Sequence, residues 1–170
     1  MAEPDPDAPH RLGDLTRGEH MLLWAFRAEA FGAGHCLLVR RQFEQACGAV
    51  GAEALAALTV FVRELARRGK RRIGICVPGS YRLSRDEQLI LAVFAAAQAE
   101  QYDRMAAHLA WLVGAEPAPA FPAAACLVAD ALALNGLILR LPDADPGAWS
   151  TAERQEIEQT GVVRSISGTG

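Results

Sequence analysis

Apolar residues recur at three- and four-residue intervals over most of the chain, and the runs that do so are bounded by recognisable start and stop signals. The first run, Leu15–Phe31, predicts a helix closed by Gly32-Ala33-Gly34, with Gly18 a mild defect in its first turn. A short helix follows over Cys36–Cys47, with Leu38, Val39, Gln42, Phe43 and Ala46 on one face and Gly48 as its stop. A third covers Ala52–Arg68, its stripe formed by Leu55, Leu58, Phe61, Val62 and Leu65 and its end marked by Gly69. Arg67 and Arg68 fall in its last turn, where cations suit the helix dipole.

The period then switches from helical to alternating. Residues 72–77, Arg-Ile-Gly-Ile-Cys-Val, end in Pro78-Gly79 and read as a short strand. Ser84 opens a long helical region reaching about Val113, whose polar middle, Gln98–Asp103, predicts a break into two helices. Leu89, Ile90, Val93, Phe94 and Ala97 serve the first half, and Met105, Leu109, Trp111 and Leu112 the second. Glu116–Pro122, with three prolines, reads as a loop; Ala123–Leu134 reads as a helix ended by Asn135-Gly136. Residues 137–141 then read as extended, and pairing with residues 72–77 would give a two-stranded element packed on helices.

Three of the helix starts share one local signal. Thr16-x-x-Glu19, Ser84-x-x-Glu87 and Ser150-x-x-Glu153 each match a capping box, in which the hydroxyl accepts from the N3 amide and the glutamate reaches back to the N-cap amide. The expected fold is therefore an all-α, single-domain bundle of about six helices with a minor two-stranded β element, residues 72–77 and 137–141. Residues 1–12, with three prolines and three acidic residues, read as a disordered arm, and residues 13–141 as the helical domain. Residues 142–170 read as a C-terminal tail with one short helix near Thr151–Gln159.

Composition sharpens this picture in three ways. Hydrophobic content is 51%, but alanine supplies much of it and aromatics only 6%, which favours close helix packing over a large pocket. A net charge of −3 argues against a general binder of polyanions. Four cysteines without a C-x-x-C, and a first segment lacking the basic and apolar regions of a secretory signal, point to free thiols in a cytoplasmic protein. No uncharged apolar run approaches the roughly 20 residues of a membrane span. Only one lysine stands among the 17 basic residues, a bias that GC-rich bacterial codon usage would produce.

The densest charged feature is a basic cluster, Arg63, Arg67, Arg68, Lys70, Arg71 and Arg72, six of the 17 basic residues within ten positions. Arginine forks grip phosphate oxygens, so a partner-, anion- or nucleic-acid-binding site is one reading. A helix C-terminus repels anions, however, so a solvated and dipole-compensating helix end is the plainer one. Cys36–Gly69 has a helix–glycine–helix outline like that of a DNA-binding helix-turn-helix. The second helix would open Ala52-Glu53-Ala54-Leu55-Ala56-Ala57, with no base-reading donor and a carboxylate facing phosphates.

His20, His35, Cys36, Cys47, Cys76 and His108 are the residues from which a metal site could be assembled. Cys36 and Cys47 share a helical face but lie about 16 Å apart along it, too far for one zinc. His35 and Cys36, at a helix start, are the weak candidates for metal or thiol chemistry. Asp130 and His108 stand in apolar helices and read as an exposed edge and a packed core residue. No phosphate-cradling loop, dinucleotide fingerprint, nucleophile elbow or H-E-x-x-H is present, and no cofactor is called for.

The expectation from sequence is a small bacterial cytoplasmic accessory or regulatory protein acting through protein–protein contacts, with a homodimer as one form of contact. A nucleic-acid-associated regulator using Arg63–Arg72, and a metal- or thiol-dependent protein using His35 and Cys36, are the alternatives.

Overall fold

The computed structural model describes residues 11–70 and 72–141, and the backbone of residues 163–166. Its helices are α1 (Arg17–Ala30), α2 (Leu37–Cys47), α3 (Gly51–Arg68), α4 (Arg85–Gln98), α5 (Tyr102–Val113) and α6 (Ala120–Leu134). Two 3-10 turns (Leu12–Asp14 and Gly48–Val50) and two strands, β1 (Ile73–Cys76) and β2 (Val163–Ile166), complete the described elements, so the chain is all-α with one small β element.

The start signals place helices where the sequence predicts them. Thr16 and Ser84 cap α1 and α4, each accepting from the N3 amide while Glu19 and Glu87 return to the N-cap amide. The third box, at Ser150, and the short helix near Thr151–Gln159 lie outside the described residues. The region from Ser84 to Val113 is two helices. Between them Glu100 takes a positive φ of 57°, and Gln101 donates its amide to the Ala96 carbonyl, which turns the chain back on itself.

α3, α4 and α6 form the centre. Residues Leu89–Ala97 of α4 are buried without a break, and the predicted stripe of α3 is buried throughout. Phe61 of α3 joins the layers: its ring centre lies 6.5 Å from Phe26 of α1, 4.8 Å from Phe94 of α4 and 5.4 Å from Phe121 of α6. By length and composition the stretch Leu37–Arg68 could cross a membrane, yet it is α2, a 3-10 turn and α3, with its apolar stripe turned into this core.

Five expectations need correction, the first being Trp111, which is exposed while His108 takes its place among the buried residues of α5. β1 pairs with β2, antiparallel, in the register Ile73↔Ile166, Gly74↔Ser165, Ile75↔Arg164 and Cys76↔Val163; residues 137–141 are extended but form no strand. Their backbone groups are already taken by side chains, as described below. α6 begins at Ala120 rather than Ala123, because Pro122 falls in its first turn, where a missing N–H costs nothing. On α2 the inward row is Val39, Phe43 and Cys47, while Leu38 and Gln42 face solvent. At the end of the arm expected for residues 1–12, Leu12 donates its amide to the Tyr81 carbonyl and Arg11 bridges Arg82; residues 1–10 lie outside the described residues.

Candidate functional site

Each of the two described capping boxes does more than start a helix. The Ser84 hydroxyl donates to the Gly74 carbonyl at 2.6 Å, and Glu87 Oε1 accepts from the Cys76 amide at 3.1 Å. The Thr16 hydroxyl likewise donates to the Ile138 carbonyl at 2.9 Å, and Glu19 Oε1 accepts from the Arg140 amide at 2.7 Å. In both cases a hydroxyl takes the carbonyl of one residue and the carboxylate takes the N–H two residues on. Both extended segments leave the end of a helix, α3 or α6, and those two helices pack against each other. One clasp is thus used twice.

Each clasp also recruits an arginine. Arg27 meets Glu87 through two bonds, Nε to Oε1 at 2.7 Å and Nη2 to Oε2 at 3.0 Å, and donates to the Ser80 and Arg82 carbonyls. Both side chains are buried. Arg140 grips Glu19 from the extended segment itself, Nη2 to Oε2 at 2.7 Å. Burial would raise the Glu19 pKa, but hydrogen bonds from Arg140 and from the Thr16 and Arg140 amides outweigh it and hold the carboxyl below its ordinary value.

A depressed folded-state pKa means stability that is present above the ordinary glutamate value of about 4.3 and is lost as pH falls through the folded value. The expected result is a urea midpoint for Glu19→Gln that lies below wild type at pH 7, with the gap narrowing below about pH 4. Urea titrations at pH 7 and at pH 3 check it; a gap independent of pH would contradict it.

Two smaller features complete the second clasp. The Gln98 amide donates to the Leu137 carbonyl at 3.0 Å and accepts from the Leu139 amide at 2.8 Å, acting as a strand's peptide group would. A Cβ on Gly18 would lie 3.1 Å from the Leu137 carbonyl carbon and 3.2 Å from the Ile138 oxygen. Gly18 is therefore no defect; it lets the extended segment press against the first turn of α1.

The sequence-predicted site residues are not brought together into a reactive centre. Cys36 is exposed as the N-cap of α2, and His35 beside it is exposed. Among the described residues, no three of the His, Cys, Asp and Glu side chains are placed to hold a metal ion. Burial pushes the Cys47 thiol up to about 11; burial and the neighbouring Glu87 carboxylate push Cys76 up to about 12. Thiols so shifted are poor nucleophiles at neutral pH. His108 is buried, and His20 and Asp130 are exposed.

In the basic cluster, Arg63, Arg67, Arg68, Lys70 and Arg72 are exposed, and Arg71 lies outside the described residues. Arg67 and Arg68 both bond Glu64 on the preceding turn, at 3.0 and 2.7 Å, which offsets part of the charge where a phosphate would sit. In the helix-turn-helix outline, the exposed positions at the start of α3 are Ala52, Glu53 and Ala56, which offer a groove no base-reading donor and one carboxylate of the wrong sign.

Among the large apolar side chains left exposed, several form a stripe along α6. Ala123, Leu127, Asp130 and Leu134 follow one another at helical spacing, all exposed, and Ile138 continues beyond the helix end. Leu127 is 48% exposed, Leu134 77% and Ile138 59%, so large apolar side chains are open to water along this line. Asp130 is the one charge on that line. The hydropathy of α6 signals this surface: a helix apolar on nearly every side is either fully enclosed or covered by something else. Sequence reading placed Asp130 on an exposed edge of this helix but did not assign Leu127 and Leu134 to the same edge. It missed Arg27 too, since an arginine on an amphipathic helix carries no mark of burial.

Comparison with known proteins finds no matching family model, and no similar curated protein or solved structure.

Proposed function

We propose that this protein is an accessory or regulatory protein that works by docking onto another protein through the outer face of α6. The exposed run Leu127, Leu134 and Ile138 supports that reading, because clustered large apolar side chains at the surface mark interaction sites. The single carboxylate on the run, Asp130, defines the chemistry of the occupant. A partner that fits presents an apolar surface with one arginine or lysine opposite Asp130, which would otherwise be buried without a counter-charge. A second copy docked on the same face about a two-fold axis would bring two Asp130 carboxylates towards each other, so a different protein is the better fit.

Affinity capture with the full chain, in wild-type and variant forms, tests this. The reading requires a captured protein that is lost with Leu127→Asp plus Leu134→Asp and weakened by Asp130→Lys. Capture must survive Arg67→Ala plus Arg68→Ala. Capture indifferent to the α6 substitutions would overturn it. Loss on substituting the arginines, with binding that weakens steeply as salt rises, would favour the nucleic-acid reading instead.

A further inference from the structure

β1 has two edges, and they are satisfied in different ways. Gly74 and Cys76 turn their amides to α4, where Asp86 Oδ2 accepts at 2.7 Å and Glu87 Oε1 at 3.1 Å. The groups of Ile73 and Ile75 point the other way, to the edge that pairs with Val163–Ile166. In the sister segment, residues 137–141, the corresponding outer edge is closed by the Gln98 side chain. Among the described residues, no side chain closes the outer edge of β1 in this way, and a strand completes it.

The strand that completes it stands far along the chain. Residues 142–162, 21 in all, separate Val163 from the end of the helical body. Fully extended, such a stretch spans about 70 Å, enough to reach the same edge on a neighbouring copy. The ladder holds only four residue pairs, and a lone two-stranded pairing is marginal by itself.

We propose that this edge exchanges strands between copies of the chain: Val163–Ile166 of one copy pairs with β1 of a second, and reciprocally. The inference stands apart from the α6 docking face and does not depend on it. The second copy is the occupant because it carries the one segment whose register on this edge is observed. The intramolecular and exchanged ladders contain the same bonds, so the ratio of the two forms follows protein concentration against the effective concentration set by the connecting chain. That effective concentration is on the order of 1 mM for a connection of this kind. Reciprocal exchange closes into a two-fold dimer in which the outer edge of each β1 is paired.

Two sets of full-length chains test the proposal. Sedimentation of the unaltered protein from about 20 µM to about 2 mM should show dimer rising with concentration and reverting on dilution. Gly74 donates away from β2, which makes Ile75↔Arg164 a hydrogen-bonded pair. Arg164→Pro removes that donor and should leave the protein monomeric throughout. Gly74 and Ser165 form a non-hydrogen-bonded pair, whose spacing suits a disulfide. With the exposed Cys36 replaced by Ser in every chain, mixing a Gly74→Cys chain with a Ser165→Cys chain under mild oxidation should therefore yield a covalent heterodimer, while the double variant should also lock within one chain.

Locking within one chain, with no heterodimer in the mixture and a monomer at every concentration, would overturn the proposal. So would a dimer that survives Arg164→Pro, since it would use another face. Failure of the double variant to lock would refute the register itself. If Gly74→Cys fails to fold, the sedimentation comparison decides alone.

Discussion

Glu87→Gln is expected to lower the stability of this protein by about 3–5 kcal/mol, the cost of leaving a buried charge without its partner. Four N–H groups converge on that carboxylate: Arg27 Nε and Nη2, and the amides of Cys76 and Ser84. An amide in its place keeps one acceptor and turns an NH2 towards donors. Arg27, only 3% exposed, then has the Ser80 and Arg82 carbonyls as its remaining acceptors. Arg27→Met should cost a similar amount, because it leaves the fully buried Glu87 carboxylate with two backbone donors and no counter-charge. Urea unfolding measures both; the Glu87→Gln midpoint should fall by roughly 1–3 M with little change in slope. Glu64→Gln is the control, since its partners Arg67 and Arg68 are largely exposed and such pairs contribute at most about 1 kcal/mol. Equal losses for Glu87 and Glu64 would show that the buried clasp has no special part in holding the fold.

Phe61→Ala should have an effect of similar size, about 3–5 kcal/mol. Phe61 is fully buried and touches an aromatic ring on each of α1, α4 and α6. In a chain whose core is otherwise largely alanine and leucine, the lost ring leaves a void that short side chains cannot fill by small shifts. Phe61→Leu keeps most of the volume and should cost under about 2 kcal/mol. Thermal unfolding of the two variants separates volume from the edge contacts among rings. Comparable melting temperatures for wild type and Phe61→Ala would contradict the placement of this residue at the junction of three helices.

The all-α architecture was legible because its signals are local. A hydroxyl and a glutamate three residues apart are enough to start α1 and α4, and the polar stretch after Gln98 is enough to divide α4 from α5. What could not be read was decided by residues distant in sequence. Residues 137–141 and 163–166 are both short and rich in branched apolar side chains, so pattern alone offers β1 two partners. The choice falls to Gln98, about forty positions before Leu137, whose amide occupies the edge that a strand would need. Leu38 was misplaced because two adjacent rows on an 11-residue helix differ by one residue, and only the position of the neighbouring helix selects between them. Of the candidate site residues, the basic cluster was visible and its described members stand at the surface, whereas Glu64, one helical turn away, was not singled out as their partner. The α6 stripe was written in the hydropathy, but enclosure and exposure look alike along a sequence.

The two clasps differ greatly in how much chain each must close. Ser84 and Glu87 reach Gly74 and Cys76 across 10 and 11 positions, whereas Glu19 waits for Arg140 across 121. By the logarithmic growth of closure entropy, the longer loop costs about 2 kcal/mol more to form. The first helix made is thus the last to be fastened. Hydrogen exchange should therefore find the beginning of α1 and residues 137–141 opening together, ahead of α3, β1 and α4.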